Sequence, residues 1–154
     1  MKKDIITRAK AVLLPYTPLS ADCGLVCGKA CCKGDEETGM LLFPGEDTPF
    51  PVKEKDGVRL CVCQGKCKRN ERPLSCIIFP FFPYMTPDGK IKVREDIRGK
   101  AVCPLISHSD EVLFNRIFKR RVARAGRILA KDEECRRFLW ETSREIDLLE
   151  KLIR

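Results

Sequence analysis

The sequence predicts one α+β domain: an N-terminal helix, a loop-rich middle with short strands, and a C-terminal helical pair. Three observations predict it. Helical periodicity is confined to the two ends of the chain, the middle is broken by turn signals into short apolar runs, and 154 residues are enough for one domain to bury a core of its own. We divide that domain into an N-terminal helix over 1–19, a cysteine-rich region over 20–106 and C-terminal helices over 107–154. Composition is that of an ordinary globular protein, with no low-complexity tract and no solenoid repeat.

The elements follow in order. Ile5, Ile6, Ala9, Val12 and Leu13 recur at helical spacing, and Pro15 and Pro18 stop that helix. Met40 to Phe43 is a short apolar run ending at the turn signal Pro44-Gly45. Val58 to Val62 alternates and predicts a short strand. Ile77 to Phe79 reads as another strand, cut by Pro80 and Pro83. Thr86-Pro87-Asp88-Gly89 is a turn in which proline presets φ and glycine supplies φ > 0, joining the apolar segment to Ile91–Val93 as a hairpin.

From Ser109 the pattern becomes helical. Ser109-Asp110-Glu111 has the composition of an N-cap with acids in the first turn, and Val112, Leu113, Ile117, Phe118, Val122, Ala125 and Leu129 keep the period. Asp132-Glu133-Glu134 starts a second helix with Cys135, Phe138, Leu139, Ile146, Leu149 and Leu152 on its apolar side. The pair is expected to cover the cysteine-bearing middle. Cys135, at a core-like position, reads as a small buried hydrophobe.

Ten cysteines carry the chemistry, and eight form two tight groups. The first is Cys23, Cys27, Cys31 and Cys32; the second is Cys61, Cys63, Cys67 and Cys76. Thiolates are soft, strong ligands, and short loops hold them at fixed separations. Glycine follows both Cys23 and Cys27, and Gly65 lies between Cys63 and Cys67; glycine lets a loop turn sharply around a ligated sulfur. Neighbouring side chains on a chain point in different directions, so the vicinal pair Cys31 and Cys32 is expected to serve two metals or two corners of one cluster. Zinc, iron and an iron–sulfur cluster all fit these spacings.

A disulfide framework is the competing reading of so many cysteines, and it belongs to short secreted chains. Here the N-terminus has no uninterrupted apolar stretch or cleavage site, and the longest apolar run, Ile77 to Tyr84, is too short to span a bilayer. A reduced, cytoplasmic protein with no membrane association is therefore expected. The formal charge of +8 counts every thiol as neutral; eight thiolates with two divalent ions would bring it to about +4.

Two features remain. His108, the only histidine, lies between two serines just before the expected helix, where a surface or capping role fits better than ligation; no catalytic triad or phosphate-binding glycine loop is present. Arg116, Lys119, Arg120, Arg121, Arg124 and Arg127 form the densest basic run. On a helix these six spread around much of the circumference, as on a solvated face, with a nucleic-acid or acidic partner as the sharper alternative.

Cysteines ending in a vicinal pair, a cysteine-bearing loop, Arg72-Pro73-Leu74-Ser75-Cys76 and a last cysteine at Cys103 together resemble the YkgJ family of cysteine-cluster proteins. The resemblance covers roughly residues 20–106 and implies zinc or iron chelation by Cys23, Cys27, Cys31, Cys32, Cys63, Cys67, Cys76 and Cys103. Flagellin lysine N-methylase shares a related motif, so the resemblance also implies an iron–sulfur-dependent transfer or redox enzyme as the alternative function. The chain departs from the pattern in having three residues rather than two in both gaps of the first group, and Ile77 where arginine often follows the Arg-Pro-x-x-Cys cysteine. Cys61 is an extra thiol able to take the place of Cys63.

Overall fold

The computed structural model describes residues 2–19, 39–62, 68–99, 103, 106 and 114–153. Helix α1 (Lys2–Ala11) buries Ile6 and Ala9, and Leu13 continues the same face into the turn that follows. The Leu13 and Leu14 amides both donate to the Lys10 carbonyl, and the chain leaves the helix before Pro15. Proline disfavours the helical conformation of the residue before it, which accounts for the stop.

A three-stranded antiparallel sheet comes next, from β1 (Gly39–Leu41), β2 (Val52–Lys55) and β3 (Val58–Val62) in the order β1-β3-β2. Its hairpin turns on Asp56 and Gly57, with φ of 55° and 77°. Two consecutive left-handed residues match the right-handed twist of the flanking strands, and Asp-Gly is a preferred pair for that turn. That dipeptide was the available signal for β2, whose Val-Lys-Glu-Lys sequence has no apolar alternation and whose Val52, Lys53 and Glu54 are exposed.

The strand expected at Ile77–Phe79 is instead part of a short helix, α2 (Leu74–Ile78). Leu74, Ile77 and Ile78 are all buried, and their i, i+3, i+4 spacing is what a single helical face needs to reach the core. Burial therefore overrides the β preference of paired isoleucines. The strand lies further on, as β4 (Phe81–Met85), paired antiparallel with β5 (Ile91–Glu95) across the expected Thr86–Gly89 turn. Pro83 is tolerated because a two-stranded sheet consists of edge strands.

All five residues of β4 are buried, because helices cover it. Helix α3 (Arg116–Leu129) lies against β4, β5 and α1, and helix α4 (Glu133–Ile153) lies against β4. Gly126 lets α3 approach closely: a Cβ there would stand 2.5 Å from Pro83 Cβ and 2.9 Å from Ile91 Cγ2. At the other side, the Ser143 hydroxyl accepts the Met85 amide at 2.8 Å and donates to the Leu139 carbonyl at 2.6 Å, so a buried strand-edge donor is satisfied by α4. Ile6, Leu13, Phe43, Ile77, Phe81, Phe118, Val122, Leu139 and Ile146 meet in one core that draws on α1, α2, α3, α4 and β4.

The C-terminal pair thus packs on the second hairpin, within the cysteine-bearing middle, and reaches the first half of the chain through α3 on α1, Phe138 against Phe43 and the Cys135 thiol against the Pro44 carbonyl. The described part of α3 begins at Arg116, with the Asn115 side chain accepting the Ile117 amide at 2.9 Å, so the cap is Asn115, while Ser109–Leu113 lie outside the described residues. Helix α4 begins where expected, Asp132 accepting the Cys135 amide at 2.9 Å. Its last turn differs from expectation: Leu152 is 74% exposed. The fold is α+β with short strands, an N-terminal helix and a C-terminal helical pair. Among the described residues no helix is long and apolar enough to cross a membrane.

Candidate metal centre

Cys23, Cys27, Cys31, Cys32, Cys63 and Cys67 lie outside the described residues, as does His108; Cys76, Cys103 and the extra thiol Cys61 lie within them. The frame on which the cysteine segments are mounted is described, and it joins their ends at two places.

The first joint is a strand register. Gly39, which follows the segment 20–38, pairs directly with Val62, which precedes Cys63. Opposed antiparallel residues have Cα atoms only about 4.5–5.5 Å apart, so the residue that follows segment 20–38 and the residue that precedes Cys63 stand side by side in the sheet. Cys61 lies one position back on β3, between Met40 and Val52, with 4% exposure and its sulfur 3.7 Å from the Thr48 hydroxyl.

The second joint is a guanidinium. Arg69, two residues beyond Cys67, donates to the Leu14 carbonyl at 3.1 Å, to the Leu13 carbonyl at 3.4 Å and to the Tyr16 carbonyl. These are carbonyls of the chain leaving α1, where backbone acceptors lack helical partners and the helix dipole favours positive charge. Arginine suits the task because its planar fork presents several donors at once. The start of the first cysteine segment is thereby tied to the end of the second.

Cys76 and Cys103 are attached to the same frame. Cys76 is half-buried on α2, and the hydroxyl of its neighbour Ser75 donates at 2.5 Å to the Leu41 carbonyl of β1. The N-terminus of α2 is held by Glu46, whose Oε2 accepts the Leu74 amide at 2.7 Å while its Oε1 accepts the Phe43 amide at 3.1 Å. Glu46 is buried with its charge balanced by Lys10 Nζ at 3.1 Å, which brings α1 into the same anchorage. Cys103 is 4% exposed; its amide donates to the Gly99 carbonyl at 2.8 Å. With Ile106 it packs against Leu19, Phe79 and Phe114. Leu19 immediately precedes segment 20–38, and Phe79 is the C-terminal cap of α2, so the Cys103–Ile106 cluster links the two.

Cys135 is elsewhere. It is fully buried on α4 with its thiol 3.7 Å from the Pro44 carbonyl, a core residue as its helical position implied. Among the described residues no disulfide links Cys61, Cys76, Cys103 and Cys135 to one another. Among the described residues no three Cys, His, Asp or Glu side chains gather into a metal-binding group. The candidate thiolate donors that fall within the described residues are Cys61, Cys76 and Cys103.

Sequence reasoning missed Glu46 and Arg69, the two residues that brace this frame. Each looks like an ordinary loop charge in the sequence, and no periodicity marks a side chain whose role is to satisfy distant backbone groups. Comparison with protein-family models, characterised proteins and solved structures finds no match.

Proposed function

We propose that this chain is a metal-binding protein whose thiolates, drawn from Cys23, Cys27, Cys31, Cys32, Cys63, Cys67, Cys76 and Cys103, hold zinc or iron, the latter as ions or as an iron–sulfur cluster. The observation that carries the reading is the Gly39–Val62 register, which sets the residue following segment 20–38 opposite the residue preceding Cys63. Ligands far apart in sequence need such a frame, because closing a long loop for each bond is otherwise opposed by chain entropy. The resemblance to the YkgJ cysteine-cluster proteins belongs to this proposal and names the same eight positions. Soft thiolate donors favour zinc or iron over magnesium or calcium, and binding them contributes directly to folding.

Metal analysis with acid-labile sulfide, on protein purified without oxygen, tests the proposal. Zinc or iron in whole-number ratio to protein is the expected result, reduced by Cys76→Ser. Matching sulfide identifies an iron–sulfur cluster. Folded protein that carries neither metal, and takes up neither on reconstitution, overturns the reading.

A further inference from the structure

The structure sorts the six basic residues of α3 into two kinds. Lys119 and Arg121 are engaged within the fold: the Lys119 ammonium lies 5.2 Å from the Phe81 ring centroid and 5.6 Å from that of Phe114, and the Arg121 guanidinium lies 5.0 Å over Tyr16. Arg116, Arg120, Arg124 and Arg127 are exposed. They are spaced four, four and three residues apart, and at about 100° per residue they fall within an arc of roughly 80°. The buried residues Phe118, Val122, Ala125 and Leu129 are centred about 180° away, so the four arginines form the outward crest of the helix. The circumferential spread seen in the sequence was that of all six; removing the two engaged with aromatic rings leaves a stripe.

The crest is uncompensated. No acid occurs between Val112 and Lys131, and among the described residues no carboxylate pairs with any of the four arginines. Lys131, exposed just past the helix, extends the row. At about 1.5 Å rise per residue the arginines span roughly 16 Å, with one guanidinium every 5–6 Å. Like charges at this spacing repel each other, and a linear polyanion relieves that repulsion.

Three occupants would answer positive charge, and two fit poorly. A surface-lying membrane helix needs an apolar face for the lipid, but that of α3 is committed to the core. A protein interface centres on buried aromatic or aliphatic anchors, and the only exposed large hydrophobic on α3 is Ile117, near its N-terminal end. A phosphate backbone needs only a row of guanidiniums, each able to donate two parallel hydrogen bonds. We propose that the Arg116–Arg120–Arg124–Arg127 crest binds the phosphate backbone of nucleic acid, without reading bases. This is independent of the metal reading.

The test is fluorescence anisotropy of the full chain with a labelled duplex DNA, titrated across salt. Four to five phosphate contacts give a log–log salt slope of about −3.6 to −4.5, a weakening of roughly 150- to 500-fold between about 50 and 200 mM salt. Arg120→Gln with Arg124→Gln is expected to flatten the slope by about 1.8 while leaving the melting temperature within about 2 °C of the parent, since both side chains are exposed. Arg136→Gln with Arg137→Gln, the same charge change on exposed positions of α4, is expected to leave binding within twofold. Equal losses in the two pairs would reduce the effect to overall charge and overturn the proposal. So would absence of duplex binding at low salt, or failure to bind duplex while a polyglutamate peptide binds through the same arginines, which would identify an acidic protein as the partner.

Discussion

Replacing Glu46 with glutamine removes one charge and almost no volume, and is expected to destabilise the protein by about 3–4 kcal/mol. The estimate is built from contacts. Both carboxylate oxygens are engaged, Oε1 by the Phe43 amide, Oε2 by the Leu74 amide and Lys10. A glutamine has only one acceptor oxygen, so in either orientation its NH₂ confronts a backbone N–H. Leaving a buried donor without an acceptor costs about 1–3 kcal/mol, and turning the remaining charge-assisted bond into a neutral one removes about 1 more. Lys10 loses its counter-ion, but its side chain is 18% exposed against 0% for Glu46, so water recovers part of that loss. The sum falls near the low end of what breaking a buried pair costs. For a domain of this size it lowers the melting temperature by roughly 10 °C. Denaturation followed by circular dichroism measures it, and a double-mutant cycle with Lys10→Met isolates the ionic part, expected to couple by about 0.5–3 kcal/mol. A loss below about 1 kcal/mol for Glu46→Gln would refute the reasoning, because it would mean that the buried carboxylate does not hold α2 to the frame.

Three further outcomes follow from the same geometry. Gly126→Ala gains about 1 kcal/mol of helix preference but sets a methyl against Pro83 and Ile91, an overlap costing about 1–3 kcal/mol or more, so a lowered melting temperature is expected and a raised one would contradict the close approach of α3 to the hairpin. Burial and then the hydrogen bond from its hydroxyl to Asp147 hold the Tyr84 phenol above its usual range, so the unfolded tyrosine ionises first. Stability contributed by Tyr84 is full below about pH 10 and declines above it as pH rises toward the folded value, and stability–pH curves should fall less steeply there for Tyr84→Phe than for the parent. Cys135→Ala is expected to lower stability by about 1 kcal/mol through lost contacts in the core while leaving the metal-to-protein ratio unchanged; loss of metal would place Cys135 among the ligands.

Some of this architecture was legible in the sequence because it rests on local interactions. The N-terminal helix and its proline stop, the Thr86–Gly89 turn, the Asp132 cap and the buried place of Cys135 each follow from a few neighbouring residues. The Asp56-Gly57 hairpin was equally local and went unread because β2 offers no apolar alternation beside it. Misreading α2 as a strand has a different cause: Leu74, Ile77 and Ile78 satisfy both a short strand and one helical turn, and only the position of the core selects between them.

The sequence by itself determined the α+β class, the helical ends and the chemistry on offer, since composition, periodicity and donor type are properties of the chain. Tertiary structure alone decided how those pieces are used. It set Gly39 opposite Val62 and Arg69 against the end of α1, so that cysteine segments separated in the chain leave one frame. It also buried Glu46 where two backbone amides needed an acceptor, and drew Lys119 and Arg121 onto aromatic rings while leaving four arginines outward. These outcomes depend on groups far apart in sequence meeting in space, and no local pattern records which distant amide, carbonyl or ring a side chain will meet.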